Sequence, residues 1–349
     1  MAYQETVNTT LIDEELITSQ GSLYTTSVYK TDQTFFIFQI PVDVTRDRIL
    51  LFIKVAITVL SCFSNIFTFS VLVYGKLYKN NMYMLALLIT SVDLVLSCVH
   101  MPISIVVSEL GTAVNGITLC VFNALSSKCV LAFTLLCQVA YNVDRFFAIR
   151  WPYVYIVKVT KLRILIIWMT TAGVLLVVNI CTIKVYHSDV EFLPLYDMCM
   201  IYIQNEAYYK ARLRYVLDIA ITFFGYGTIF YTSYKVSIIT RRHRRQMAEE
   251  DRISGTAIHE TDASNLAAFQ TVILTSVLFV ITGMPRIILL IFPAKYIPYS
   301  VTLLLTWLFY GNSICNTVIY GYKFKRFRLV ARKLLRRCFS MNNAVESIM

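Results

Sequence analysis

Seven apolar runs, each long enough to cross a bilayer as one helix, dominate this 349-residue chain. They lie at roughly Ile49–Tyr74, Met82–Val107, Thr118–Phe147, Ile164–Val185, Leu213–Ile239, Ala267–Phe292 and Ser300–Tyr322. A helix needs about 20 mostly apolar residues to cross about 30 Å of hydrocarbon. Runs that are apolar throughout select helices over a barrel, whose strands alternate over about ten residues. Only 15% of residues are charged, against about 25% in soluble domains. The expectation is an all-α membrane protein, a bundle of seven transmembrane helices. The first run begins too far along the chain for a signal peptide. No internal repeat of the kind that builds many transporters is visible.

The net charge of +11 reads as topology and not as nucleic-acid binding. Cations cluster after spans one, three, five and seven: Lys76 and Lys79; Arg150, Lys158, Lys161 and Arg163; Arg241, Arg242, Arg244 and Arg245; and Lys323 to Arg337. The opposite loops carry Glu109, Asp189, Glu191, Asp197 and Glu206. Positive charge is retained in the cytoplasm, so the N-terminus is expected outside and the C-terminus inside, in the plasma membrane. Most of the nine cysteines fall within spans. Cys120 and Cys199 are expected together on the outer side, where a disulfide persists. Asn8 begins an Asn-Thr-Thr glycosylation sequon on that same side.

Several polar residues interrupt the apolar runs in a fixed order. Asn65 lies in span one, Asp93 and Pro102 in span two, and Asp144-Arg145-Phe146 at the inner end of span three. Trp168 lies in span four, Phe279 and Pro285 in span six, and Asn316-Thr317-Val318-Ile319-Tyr320 in span seven, with Phe327 beyond it. In order and spacing the chain resembles the class A (rhodopsin-like) G-protein-coupled receptors across all seven spans. The resemblance implies residues 1–47 outside, a seven-helix domain over 48–322, and a cytoplasmic tail from 323 with an amphipathic eighth helix. Phe324, Phe327, Leu329, Val330, Leu334 and Leu335 among Lys and Arg suit that interfacial helix. Cys338 is a candidate for palmitoylation.

The resemblance also implies roles. Arg145 pairs with Asp144 when inactive and meets the G protein when active, with Phe146, Tyr234, Asn316 and Tyr320 in the same switch. Asp93, Thr134, Asn312, Ser313 and Asn316 would surround a sodium ion; the plain alternative is a hydrogen-bonded network joining helices. Asn65 would bond toward Asp93. Asn265 stands where some relatives place a second acid, which predicts a weakly held inactive state. The ligand cavity would be lined by Ser127, Lys128, Arg286 and Tyr310. Ser127 replaces the acid that amine receptors need, and Tyr310 the lysine that opsins need. Lys128 and Arg286 suit an anionic small molecule or peptide terminus, unless they pair with Glu109 or Asp197.

The pattern departs from the family at Gly283, where an aromatic is usual, and at Thr317, where a proline is usual. Span five lacks its proline and has Gly225-Tyr226-Gly227 instead. The four histidines are scattered, so no catalytic or metal constellation is expected and no cofactor beyond a possible allosteric sodium. The expected function is a receptor coupling a ligand to heterotrimeric G proteins in contact with membrane lipids. A seven-span transporter or channel, and a non-signalling decoy, are the competing readings.

Overall fold

The first apolar run folds as α1 (Val44–Tyr74), which ends at Gly75. Lys76 there adopts a left-handed conformation (φ 50°) and turns the chain into a short 3-10 segment, Leu77–Lys79. Asn80 caps the next helix, α2 (Asn81–Val95), by accepting from the Met82 amide at 3.0 Å. A π-helical turn, Leu96–His100, follows immediately before Pro102. The computed structural model describes the backbone of residues 17–19, 22–31, 34–41, 44–185, 189–193, 198–202, 208–254, 260–291 and 298–346, with side chains over most of 48–337.

Helical geometry then runs on as α3 (Met101–Arg150), yet that stretch cannot be straight. Asn123 Nδ2 donates to Ser104 Oγ at 2.8 Å, whereas residues that far apart on a straight helix lie about 28 Å apart. The chain doubles back and makes two spans, Asn81–Glu109 and Thr118–Arg150. A short helix, α4 (Pro152–Lys158), links span three to α5 (Lys161–Val185), which is span four. Spans five, six and seven are α6 (Tyr208–Ser254), α7 (Glu260–Ile291) and α8 (Tyr299–Lys323). Six helices among the described residues are both long and apolar enough to cross a membrane. Span seven is long enough too, but it carries buried Trp307, Tyr310, Asn312, Ser313 and Asn316, which lower its hydropathy.

The amphipathic tail forms α9 (Lys325–Glu346). Its Phe327 and Ala331 are buried against Val71, Leu72, Met82, Tyr83 and Tyr320 from spans one, two and seven. A Cβ on Gly75 would lie 2.8 Å from Val330, so the turn after span one needs glycine to let α9 seat.

Contacts divide the chain into two units, Met1–Lys54 and Val55–Met349. The first holds an antiparallel sheet of β1 (Ile17–Ser19), β2 (Ser22–Thr31) and β3 (Thr34–Pro41), with Tyr24 opposite Pro41. Alternating aromatic and β-branched residues favour those strands. In the second unit β4 (Asp189–Leu193) and β5 (Met198–Tyr202) form a hairpin, with Phe192 opposite Cys199.

Candidate functional site

Polar side chains gather at three depths of the bundle. At the Arg145 end of span three, Arg145 Nε donates to Asp144 Oδ2 at 2.8 Å, and Nη2 also bonds that carboxylate. Both side chains are nearly buried, at 8% and 11% exposure. Such a pair resists breaking, because either partner alone would be a buried charge. Tyr155 on α4 closes the group: it accepts from Arg145 Nη2 at 2.9 Å and donates to Asp144 Oδ1 at 3.0 Å. Burial pushes its hydroxyl up to about 12, so it remains a donor at neutral pH. Asn81 Nδ2 bonds the Val159 carbonyl at 3.1 Å and anchors the far end of α4.

Tyr155→Phe removes one donor to Asp144 and one acceptor for Arg145. Hydrogen bonds to charged groups contribute about 1.5–3 kcal/mol each, so the apparent melting temperature of the purified chain is expected to fall by a few degrees. An unchanged melting curve would show that the hydroxyl contributes nothing.

Midway along the bundle, Asp93 Oδ2 accepts from Asn316 Nδ2 at 2.9 Å. A cavity of about 10 Å³ beside them is lined by Asp93, Thr134, Gln138, Asn312, Asn316, Phe279 and others. That is about the room one water needs. Thr134 Oγ1, Ser313 Oγ and Gln138 Nε2 are buried without a hydrogen-bond partner among the described residues. Buried polar atoms of this kind are normally satisfied by water or an ion. The oxygens of Asp93, Thr134, Asn312 and Asn316 in that lining have the hard-donor chemistry a sodium ion prefers, so these residues fit that ion, while Ser313 is buried but outside the lining.

At the disulfide end, Cys120 and Cys199 are joined, with their Cα atoms 5.4 Å apart. The Cys199 amide also donates to Asn123 Oδ1 at 3.2 Å, so the hairpin is pinned to span three twice. Inside it, His100 is fully engaged: Nδ1 lies 2.9 Å from Ser126 Oγ and Nε2 3.0 Å from Tyr310 Oη. The π-turn that ends at His100 is a feature frequent at functional sites. The Arg286 guanidinium stands 5.4 Å from the Phe309 ring centroid and 5.8 Å from that of Tyr310. Its Nη1 is buried with no hydrogen-bond partner among the described residues.

The sequence profile described as "7 transmembrane receptor (rhodopsin family)" matches residues 64–320. The chain belongs to the rhodopsin family of seven-transmembrane receptors. It is 25% identical over 317 residues to G-protein coupled receptor 161 of Xenopus tropicalis, covering 82% of this chain and 59% of that protein. It is 27% identical over 216 residues to G-protein coupled receptor 52 of Mus musculus, covering 58% of this chain and 56% of that one. The receptor therefore spans under two thirds of the length of these relatives.

The receptor brings some of the expected residues together and separates others. Asp144 and Arg145 pair, and Asp93, Thr134, Asn312 and Asn316 share one cavity wall. Tyr320 is buried in the cluster beneath α9, stacked on Phe324. Phe146 packs on Trp151 at the end of its helix, not on the ion pair. Tyr234 is 57% exposed on the outside of span five and joins no polar cluster among the described residues. Asn65 does not bond Asp93: its Nδ2 donates to the Ser61 carbonyl at 3.0 Å, one turn back in its own helix. Lys128 stands 3.9 Å from Asp218 on span five, so Asp218 is a counter-charge beside the Glu109 and Asp197 considered from sequence. Ser127 is buried. Asn8, Asp197 and the side chains of Asn265 and Cys338 lie outside the described residues.

Two of the departures of this receptor, Thr317 and Gly283, have local answers. Thr317 hydrogen-bonds Thr68 Oγ1 at 2.7 Å and donates to the Ser64 carbonyl at 3.0 Å, tying span seven to span one where a proline is usual. Gly283 leaves a hole that Tyr226 of span five enters; a Cβ on Gly283 would lie 2.0 Å from the Tyr226 hydroxyl oxygen. Tyr226 stacks on Phe279 with centroids 5.5 Å apart, and Phe279 meets Phe309 edge-on at 5.9 Å. The aromatic missing from span six is supplied from span five. Gly283 itself was the sequence signal for a gap there; Tyr226, Tyr155 and His100 left none.

Proposed function

We propose that this receptor couples an extracellular ligand to heterotrimeric G proteins, with the disulfide end outside the plasma membrane and the Arg145 end in the cytoplasm. In this reading residues 1–47 form an extracellular segment, 48–322 the transducing domain and 323–349 a cytoplasmic tail on the inner leaflet. The observation that carries it is Arg145, buried at a helix end between Asp144 and Tyr155. That arrangement stores a cation whose release changes which partner it meets, a two-state element. Family membership and the two G-protein-coupled relatives support the same reading. No group in the bundle is given a catalytic step; the receptor acts by shifting between conformations.

The ligand class follows from charge. Lys128 is offset by Asp218, so anion recognition falls to Arg286, whose guanidinium lies over apolar ring faces where its field is poorly screened. In the middle of the bundle Asp93, Thr134, Asn312 and Asn316 would hold sodium. The ion would supply a positive charge that lets Asp93 remain ionised and ties spans two, three and seven together.

Arg145→Ala, expressed beside the parent chain with a panel of G-protein subtype sensors, tests the coupling. The expected outcome is loss of at least nine tenths of any signal, basal or ligand-driven, at equal surface level. Equal signal from both chains would overturn the reading. A parent chain that binds ligand yet moves no sensor would instead be a decoy.

A further inference from the structure

We propose that Asn142 is a releasable clamp, a positioning residue that ties spans five and six to span three beside Arg145 and sets how readily span six moves away. Asn142 is 0% exposed and lies two residues before Asp144. Its Nδ2 donates to the Gln138 carbonyl at 2.8 Å in its own helix. That bond fixes the amide plane and leaves Oδ1 directed at the neighbouring spans. An amide oxygen accepts two hydrogen bonds, and here both come from other helices. Ser233 of span five donates at 2.9 Å and Ser276 of span six at 2.7 Å.

The three helices meet at one atom, but they are not held alike. Ser276 has a second acceptor, the Val272 carbonyl one turn back, also at 2.7 Å. A hydroxyl has one proton, so it is shared between the two oxygens. When span six leaves, Ser276 keeps its bond to Val272 and Asn142 Oδ1 keeps Ser233. Neither side is left with a buried, unsatisfied group, which is what makes most buried polar contacts costly to break. The clamp therefore opens at span six, and opening costs at most one net hydrogen bond, because the Ser276 proton passes wholly to the Val272 carbonyl. A contact of that strength changes an open-to-closed ratio roughly two- to tenfold.

The clamp works without charge, so it does not need the second acid that position 265 lacks. Its consequence for signalling rests on the coupling proposed above, but its mechanical part does not.

Ser276→Ala and Asn142→Leu in the full chain, reconstituted in lipid nanodiscs, separate the two. Ser276→Ala removes one oxygen and leaves the Asn142–Ser233 bond in place, so it folds even if Asn142→Leu does not. Amide hydrogen exchange across residues 269–280 is expected to quicken two- to tenfold in Ser276→Ala, and Ser276→Thr, which keeps the hydroxyl, to restore the parent rate. Basal nucleotide exchange on added G protein should rise by a similar factor. Quicker amide exchange without any G-protein response would uphold the clamp and defeat the coupling. Unchanged amide exchange in Ser276→Ala, or no restoration by Ser276→Thr, overturns the clamp.

Discussion

Gly283→Trp alone should leave little folded receptor, and Tyr226→Ala combined with it should recover most of the loss. The first added atom already collides: a Cβ at 283 lies 2.0 Å from the Tyr226 hydroxyl oxygen, 3.0 Å from Cζ and 3.3 Å from Phe309 Cε2. Tyr226 cannot retreat freely, because its ring is buried and stacked on Phe279. Overpacking a tight core by a methylene or two costs about 1–3 kcal/mol, and an indole adds far more volume than that. Tyr226→Ala alone opens a cavity and should cost about 3–5 kcal/mol by analogy with other large aromatic truncations. In the double variant the indole from span six enters the space the phenol vacates, so the two changes are strongly non-additive with opposite sign. Surface expression and thermal midpoints of the four chains check this. A double variant no better than Gly283→Trp would show that the two side chains do not share one space.

Loss of the disulfide should be the next largest effect. Cys120 and Cys199 close a loop of sequence separation 79, for which the chain-entropy relation gives about 4.5 kcal/mol. Residues inside that loop include span four, which stays threaded through the bilayer when the disulfide end loosens. The unfolded loop is then already shortened, and the loss lies at or below that figure. Cys120→Ser, Cys199→Ser and the double variant are expected to lower the apparent melting temperature equally, by several degrees or more. Single losses that add in the double variant would mean the two thiols act separately. The Asn123 bond to the Cys199 amide predicts that part of the hairpin's placement survives.

The sheet of residues 17–41 and the clamp at Asn142 show different limits of reading along the chain. The strands have a local pattern of aromatic and β-branched residues, but each is far shorter than a bilayer-spanning run. Asn142 has no local signature at all, since a lone amide in an apolar helix is defined only by the spans that face it. Tyr234 shows the converse. The resemblance implied a role for it at the switch, and in this structure helix rotation places it 57% exposed, away from the polar clusters among the described residues.

The Asp144–Arg145 pair, by contrast, was legible because the resemblance implied it; neighbouring residues on a helix do not face one another by themselves. What packing added was Tyr155, brought in by α4 and anchored through Asn81. Lys128 and Arg286 looked equivalent in sequence as cations at one depth. Asp218 offsets one, and two aromatic rings hold the other.

The number and course of the spans, their family and the amphipathic tail were all legible along the chain. Each depends on hydropathy at helical length or on neighbours along the chain, and both survive any arrangement of the helices. Which polar groups share a partner was set by how the helices pack. It placed Asn316 and not Asn65 on Asp93, Thr317 against span one, and the Tyr226 ring in the space left by Gly283. Those contacts join residues up to a few hundred positions apart, and helix rotation and close approach set them, quantities a one-dimensional pattern does not carry.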